Sequence, residues 1–260
     1  MRNEFPRRAT ALSVVAAAAL SIVPTAAHAQ ASVKPDGQWR AAIGAGLSIA
    51  SGNTSASSLS LVADAVRKTS IDKWSLYAKA LRAKSSGTTT AEQYGLGGRY
   101  DRDLTGRLFV FGMLDFLRDR PANLKQRIAG YGGVGYHLIK TDTTTWDVFG
   151  GLGHARDSFF SATLIDGATR TGYGRTEMLV GEESSHKLSD TTSFKQRLTV
   201  YPNLSNSGEY RALFDAGLSV AMSKTLNLTA SLAYRYNSDP GTGLKKGDTL
   251  FVTGVSMKFD

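Results

Sequence analysis

Residues 226–236 read LNLTASLAYRY, and this stretch decides the fold. Every second residue from Leu226 to Tyr236 is apolar or aromatic, whereas the residues between them include Asn227, Thr229 and Arg235. Because successive side chains of a strand point to opposite faces, this alternation predicts a β-strand with one apolar and one polar face. Residues 39–49 and 210–222 repeat the pattern. Runs of about eleven residues match the length that a tilted strand needs to cross an outer membrane.

Turn-forming residues separate the predicted strands in two alternating sets. One set is short and rich in Asp, Lys, Ser and Thr, and its members are 69–72, 101–106, 141–145, 189–192 and 223–225. The other set is more varied and mostly longer, with a short first member near Gly52-Asn53 followed by 84–90, 118–125, 156–170, 202–209 and 237–247. Short periplasmic turns that alternate with longer extracellular loops are typical of outer-membrane barrels.

These units predict an all-β fold, an antiparallel up-and-down transmembrane β-barrel of about twelve strands. A propeller or a sandwich would fit the spacing of the strands, but strands of this length with terminal aromatics favour a lipid-facing surface. The final strand agrees, because its alternating face ends in Phe259. That ending resembles the C-terminal assembly signal of outer-membrane proteins and predicts the barrel-assembly machinery as a partner. Asp260 follows Phe259 and departs from the signal.

The N-terminus predicts export. Basic Arg2, Arg7 and Arg8 precede an apolar run over 11–23, and Ala27-His28-Ala29 supplies small residues for signal peptidase. We therefore predict a cleavable signal peptide over residues 1–29, cleavage between Ala29 and Gln30, and one barrel domain over 30–260. The Arg7-Arg8 pair leaves twin-arginine export open. The chain has no cysteine, which excludes a disulfide, a lipoprotein anchor and a thiolate metal site.

The formal net charge of +9 would also suit a nucleic-acid-binding protein. Export across the inner membrane argues against that class, so we expect no nucleic-acid partner. Neither a cofactor nor a metal site is expected. The glycine-rich Gly130–Tyr136 lacks the Lys-Ser/Thr of a phosphate loop, and Glu182, Glu183 and His186 match no known metal-ligand spacing.

In each predicted strand, the residues that alternate with the apolar ones should face the barrel interior. The basic residues at these positions are Arg40, Lys79, Arg99, Arg175, Lys195, Arg197, Arg211, Arg235 and Lys258. The acidic ones are Asp64, Asp115, Glu177 and Asp215. Nine basic groups against four acidic ones predict that a continuous water path would prefer anions. Inward Phe109, Phe111, Tyr131, Phe149 and Tyr201 leave open whether the lumen is narrow or closed.

The enzyme class that we consider is an outer-membrane lipid hydrolase. Such an enzyme needs a serine activated by a histidine, which is itself oriented by a carboxylate or an amide. His137 is predicted to face inward, and His154 and His186 outward. Ser184 and Ser185 neighbour His186, but no compact constellation emerges from the sequence, so we expect no enzyme.

Basic residues on or beside the predicted extracellular loops suggest contact with lipopolysaccharide phosphates, with ordinary surface solubility as the alternative. These residues are Arg118, Arg120, Lys125, Arg156, Arg170, Lys245 and Lys246. Outer-membrane lipids are the other expected partner.

Four stretches carry a family resemblance: Gly44–Ser57 (GAGLSIASGNTSAS), Gly130–Tyr136 (GYGGVGY), Tyr201-Pro202-Asn203, and the tail from Ser238-Asp239-Pro240 to Asp248. Together they resemble the salt-induced outer-membrane protein family, a domain-of-unknown-function family of outer-membrane β-barrels. The resemblance implies an outer-membrane barrel and brings no catalytic residues or substrate.

Three functions follow as hypotheses. The first is a narrow passive channel for small solutes that prefers anions, lined by Arg40, Lys79, Arg99, Asp115, Arg175, Glu177, Arg197, Arg211, Asp215 and Arg235. The second is a non-conducting structural or salt-stress-related envelope barrel. The third is an outer-membrane lipid hydrolase.

Overall fold

A computed structural model describes residues 33–50, 56–241 and 243–259, which form twelve strands. The predicted signal peptide, its cleavage site at Ala29-Gln30 and the connection at Gly52-Asn53 lie outside the described residues. The strands are β1 (Trp39–Ala50), β2 (Ala56–Lys68), β3 (Asp72–Ser85), β4 (Thr88–Asp103), β5 (Leu108–Asp119), β6 (Leu124–Lys140), β7 (Thr144–Ile165), β8 (Ala168–Lys187), β9 (Thr192–Pro202), β10 (Tyr210–Ala221), β11 (Leu226–Asn237) and β12 (Gly247–Phe259). The described residues hold no helix that could cross a bilayer.

The strands form a closed barrel in which each strand pairs antiparallel with its neighbours in sequence. The first and last strands close it, with Ala41 opposite Phe259 and Ala45 opposite Val255. Closure removes the free sheet edges that a membrane could not tolerate. The predicted fold, an antiparallel barrel of about twelve strands, is confirmed.

The two ends of the barrel differ, and we name them by their connections. The turn end carries 69–71, 104–107, 141–143, 188–191 and 222–225, together with the start of β1 and the end of β12. The loop end carries 86–87, 120–123, 166–167, 203–209 and 238–246. The longest connections are at the loop end, as the sequence predicts.

The outer surface is a band of exposed apolar side chains. Leu96, Leu114, Val134 and Leu152 are all more than half exposed, with Leu114 at 70%. Trp39, Trp74 and Trp146 lie on this surface near the turn end. An outward apolar band with aromatic residues at its margin is the pattern of a membrane-spanning barrel.

The predicted loop at 156–170 is wrong, because β7 continues to Ile165 and β8 begins at Ala168. Pairing between the two strands resumes at Thr163 opposite Arg170 after a register irregularity that begins at Ser158. Asp166 and Gly167 have positive φ angles of 52° and 66°. Asp-Gly with two positive φ angles is the sequence signal of a two-residue hairpin turn. We call residues 160–173 the projecting hairpin, since the barrel pairing of β6 with β7 reaches only Leu124 opposite Phe159.

Candidate functional site

The barrel interior is the candidate site, and its two sides differ in side-chain size. One side, which we call the packed side, is the buried cluster Phe109, Phe111, Met113, Ala129, Tyr131, Phe149, Ala155, Leu179 and Tyr201 on β5–β9. The strand register shows that these side chains point inward, since Phe109 lies opposite Gly135 and Tyr131 opposite Gly153. The packed side therefore forms a dry core within the barrel itself.

Glycines on neighbouring strands make room for the inward rings. The pairs are Phe109 with Gly135, Tyr131 with Gly153, Tyr77 with Gly97, and Phe149 with Gly181. A Cβ atom at Gly135 would lie 2.1 Å from the Phe109 ring, and one at Gly153 would lie 2.2 Å from the Tyr131 ring. Each ring thus lies flat on the wall of the barrel, over a residue that can have no side chain.

The opposite side, which we call the small-residue wall, is formed by β1, β2, β10, β11 and β12. Its inward positions include Ala42, Gly44, Ser58, Ser60, Gly217, Ser219, Thr229, Ser231, Ala233, Gly254 and Ser256. The same strands carry inward Val62 and Val66, which pack with Ala42, and Leu213, which packs against the packed side. The small residues between them fill little of the lumen. The interior of a barrel this wide is therefore occupied mainly from one side.

Long charged side chains rise from the small-residue wall and from strands β3 and β9 beside it. Lys79, Lys195, Arg197, Asp215 and Arg235 face inward and are partly exposed. Arg235 Nη2 donates to Asp215 Oδ1 at 2.6 Å. Arg197 Nε lies 3.6 Å from a carboxylate oxygen of Glu183. Within the described part of the chain, Lys79 and Lys195 have no carboxylate oxygen within 4 Å, and neither has Lys258.

A buried arginine–carboxylate cluster crosses the packed side toward the loop end. Arg211 Nη2 donates to Glu177 Oε2 at 2.7 Å, and Arg175 Nε donates to Glu177 Oε1 at 2.7 Å. Tyr131 donates its hydroxyl to the same carboxylate at 2.5 Å. Asp157 accepts from Arg175 at 3.0 Å and from Arg127 at 2.6 Å, so five charged groups form one continuous network.

Arg99 lies in a different setting from the other predicted inward charges. Its guanidinium carbon is 4.5 Å from the ring centroids of both Phe111 and Phe149, and its Nε donates to Asp101 at 2.7 Å. Stacking on two rings and pairing with an acid hold this charge within the packed side. Asp115 also has a fixed partner, since it accepts from the Tyr77 hydroxyl at 2.5 Å.

At the turn end, His137 bridges two acids. Its Nδ1 is 2.7 Å from Asp147 Oδ1 and its Nε2 is 3.1 Å from Asp103 Oδ1. Lys73 of β3 also reaches across the interior, with its Nζ 4.0 Å from Glu183 of β8. Arg40 bonds to Asp36 just outside β1 at 2.8 Å, and this guanidinium holds the pKa of Asp36 well below its ordinary range.

All ten residues proposed from the sequence to line the lumen lie on inward strand positions; whether they line a conducting path stays a prediction. The structure brings together Arg175, Glu177 and Arg211, and separately Arg235 with Asp215. Sequence reasoning missed Arg127, Asp157 and Glu183. Asp157 was hidden within the wrongly predicted loop, but it keeps the parity of Ala155 and would have been found by extending the alternation.

The missed residues correct the charge count of the interior. The register adds the inward acids Asp101, Asp103, Asp119, Asp147, Asp157, Glu183 and Asp248, and the inward bases Lys68, Lys73, Arg127, Lys140 and Lys187. The predicted surplus of basic groups therefore becomes smaller over the described interior as a whole. Most of the inward acids lie on β4–β8, whereas Asp64, Asp215 and Asp248 lie on strands of the small-residue wall.

His186 contacts a serine that lies two residues away on its own strand. His186 Nε2 lies 3.1 Å from Ser184 Oγ on the outer face, because residues two apart share a face of a strand. Ser184 is 3% exposed, and Glu182 on the same face bonds to Trp146 at 2.9 Å. In the described region no carboxylate orients His186, so the pair lacks the third group of a hydrolase triad. Within that region no cluster of metal-ligating side chains occurs either.

The projecting hairpin reaches over the loop end. Ile165 is buried with Leu124, Phe159 and Tyr173, and Leu117 packs against this group. On the other side, Asp166 accepts from Asn206 at 2.7 Å, and its backbone N–H donates to Asp239 at 3.1 Å. The hairpin tip therefore contacts connections from both sides of the mouth, and a cavity of about 360 Å³ remains between it and residues 238–246.

The chain is similar to known proteins in sequence and in structure. The "Uncharacterized protein YdiY" of Escherichia coli (strain K12) is 24% identical over 201 residues, which cover 76% of this chain and 74% of that protein. The NanC porin has a TM-score of 0.45 and 10% identity, with coverage of 84% of this chain and 96% of that chain. The translocator domain of autotransporter NalP from Neisseria meningitidis has a TM-score of 0.46 and 15% identity, covering 85% and 88%.

A third solved structure, the KdgM porin in complex with disordered oligogalacturonate, has a TM-score of 0.43 and 9% identity and covers 86% of this chain and 100% of that chain. These structural likenesses concern the barrel architecture alone. The sequence match is more specific, because a family model aligns with residues 43–259. The resemblance drawn from the sequence is thus confirmed: the chain belongs to the family described as "Protein of unknown function, DUF481".

Proposed function

We propose that the barrel is a narrow passive channel for small solutes, that it prefers anions, and that its passage runs along the small-residue wall. The observation that carries the proposal is the asymmetry of the interior, with a packed aromatic side on β5–β9 and small residues on the facing strands. Side chains can fill a barrel of about eight strands, but a twelve-strand barrel is wider. Filling from one side leaves a lateral path.

The charges beside this path support a preference for anions. Lys79, Lys195 and Lys258 point toward it and have no carboxylate oxygen within 4 Å in the described residues, whereas Arg175 and Arg211 are ion-paired with Glu177 in the buried cluster. A cationic wall in a narrow, low-dielectric passage lowers the energy of an anion. Arg99 contributes little to this field, because Asp101 and the aromatic rings hold it away from the small-residue wall.

Single-channel recording in a planar bilayer tests the proposal. We expect the mature protein to conduct in discrete steps, with a reversal potential biased toward anions under a salt gradient. The double variant Lys79→Glu/Lys195→Glu should lose that bias. The control Arg82→Glu/Lys84→Glu makes the same change in charge on the outer face of β3 and should keep it. Unchanged selectivity in the first variant would contradict the placement of the passage.

The second candidate is a non-conducting structural or salt-stress-related barrel. The observation that favours it is the projecting hairpin, whose tip bonds to Asn206 and Asp239 over the loop end. Absence of current from protein that is demonstrably folded, both intact and without the hairpin, would exclude the channel and favour this second candidate. For the third candidate, a lipid hydrolase, hydrolysis that persists after alanine replacement of His137, His154 and His186 would exclude histidine chemistry.

Location and partners complete the proposal. The signal peptide over 1–29 exports the chain, and residues 30–260 form the barrel with its turn end in the periplasm. The barrel-assembly machinery recognises β12, which ends at Phe259. Outer-membrane lipids surround the apolar band, and lipopolysaccharide contacts the basic residues at the loop end. A protease-protection assay on whole cells, with a cleavage tag inserted at 203–209, tests the orientation.

A further inference from the structure

Basic side chains at the loop end are gathered on one sector of the outer surface. Arg82 and Lys84 of β3, Arg118 of β5, Arg120, Lys125 of β6 and Arg156 of β7 form what we call the basic crescent. Cross-strand pairs place three of them on the outward face, since Arg82 lies opposite Glu92, Arg118 opposite Tyr94 and Arg156 opposite Ile128.

The rest of the rim has a different character. On β10 and β11 the outward positions nearest the loop end are Tyr210 and Tyr236, whose rings stack at 5.3 Å. Lys245 and Lys246 belong to the connection above these strands rather than to the outer face of the barrel. The seven basic loop-end residues named from the sequence therefore divide into separate groups, and a dense outward cluster occurs only across β3–β7 in the described part of the chain.

Two features hold the crescent ready for an anion. The Arg118 and Arg120 guanidinium carbons lie 4.9 Å and 5.8 Å from the centroid of the Phe160 ring, which fixes two arginines beside each other. Glu92 lies 3.7 Å from Arg120, and it is the one carboxylate within 4 Å of a crescent residue in the described part of the chain. Arginine is suited to phosphate because its planar donors match two phosphate oxygens.

An apolar shelf lies directly below the crescent on the same strands. Leu96, Leu114 and Ile128 are 59%, 70% and 52% exposed. Leu96 and Leu114 lie farther from the loop end than Arg82 and Arg118, and Ile128 lies opposite Arg156. Phosphate-binding groups above an exposed hydrocarbon-compatible surface match a molecule with anionic head and acyl chains. A small soluble anion has no apolar part that could pack on the shelf.

We propose that the basic crescent binds the phosphate groups of an outer-leaflet glycolipid of the lipid A type, with its acyl chains on the shelf of Leu96, Leu114 and Ile128. This inference does not depend on conduction through the lumen. It requires only that the loop end faces outward. The crescent then fixes one sector of the barrel to the lipopolysaccharide layer and leaves the tyrosine sector free of it.

Native mass spectrometry of the refolded mature barrel with purified bisphosphorylated lipid A tests the proposal. We expect bound lipid A on the parent protein and at least tenfold weaker binding to Arg118→Glu/Arg156→Glu. The control Lys245→Glu/Lys246→Glu carries the same charge change and should bind like the parent. Monophosphorylated lipid A should bind more weakly than the bisphosphorylated form.

Equal losses in the crescent and control variants would overturn the proposal, since binding would then follow net charge alone. Complete displacement of lipid A by millimolar inorganic phosphate would also overturn the proposal, because the site would then bind a small anion. Single-channel recordings on the same variants keep this result separate from the proposed function. A crescent variant that loses lipid A but conducts normally supports the lipid site and leaves the channel intact.

Discussion

At the scale of single residues, the interior depends on pairs in which a ring lies over a glycine and a carboxylate lies among arginines. Phe109 occupies the space that a side chain at Gly135 would need. Glu177 is fully buried and accepts from Arg175, Arg211 and Tyr131. Such pairs specify one arrangement of the packed side, because each partner can be accommodated only at that position.

Gly135→Ala should destabilise the barrel by about 1–3 kcal/mol, the usual cost of overpacking a core. Its new Cβ would lie 2.1 Å from the Phe109 ring. Gly112→Ala is the matched control on β5, since nothing lies within 4 Å of a Cβ built there. Urea unfolding in lipid vesicles, followed by tryptophan fluorescence, measures both. Equal stabilities would contradict the ring-on-glycine packing.

Glu177→Gln should cost roughly 3–5 kcal/mol, because it leaves Arg175 and Arg211 buried without their shared carboxylate. Glu182→Gln changes the same side chain on the outer face of β8, where Glu182 bonds to Trp146, and should cost far less. The same unfolding assay distinguishes them. A loss of similar size in both variants would mean that the buried cluster is no more important than a surface contact.

Alternation in the sequence predicts which side chains face inward but not which of them meet. Arg211 and Glu177 are 34 positions apart, and Arg211 and Tyr131 are 80 apart. Contacts at that separation depend on barrel closure and on the stagger between strands. Neither can be deduced from the sequence of a single strand. The set of inward charges can therefore be predicted from the sequence, whereas their division into a buried ion-paired cluster and partly exposed lysines cannot.

At the scale of elements, the projecting hairpin distinguishes this barrel from a plain cylinder. It extends β7 and β8 past their neighbours and folds inward, so that Ile165 packs with Leu124 and Phe159. The sequence predicted all twelve strands from alternation and turn residues, yet it placed a loop here. Polar Arg156, Asp157 and Ser158 resembled a loop in composition, although the Asp166-Gly167 turn was the better signal.

Removing residues 161–172 and closing β7 to β8 with Asn-Gly should raise single-channel conductance, because the tip no longer covers the loop end. Anion preference should stay as in the parent, since Lys79 and Lys195 lie within the barrel. Asn206→Ala removes one of the tip's bonds over the loop end but keeps the hairpin, and it should have a smaller effect. Unaltered conductance after removal of the hairpin would show that it does not restrict the mouth.

At the scale of the whole molecule, the barrel divides into sectors that run from the lumen to the lipid. The strands of the packed side, β5–β9, overlap those that carry the basic crescent outside, β3–β7. The small-residue wall lies behind the tyrosine sector of β10 and β11. In this account one half of the barrel gives rigidity and lipid contact, and the other half gives passage.

Cysteine accessibility tests that division most directly, because the chain has no cysteine of its own. Leu250→Cys introduces a thiol at a partly exposed inward position of β12, opposite Ala233 on the small-residue wall. Leu179→Cys makes the same substitution within the packed side, where Leu179 has no exposed surface. Single-channel current is recorded before and after a negatively charged, water-soluble methanethiosulfonate reagent. We expect a stepwise fall in current for Leu250→Cys and none for Leu179→Cys. A fall for Leu179→Cys with none for Leu250→Cys would contradict the proposed path through the barrel.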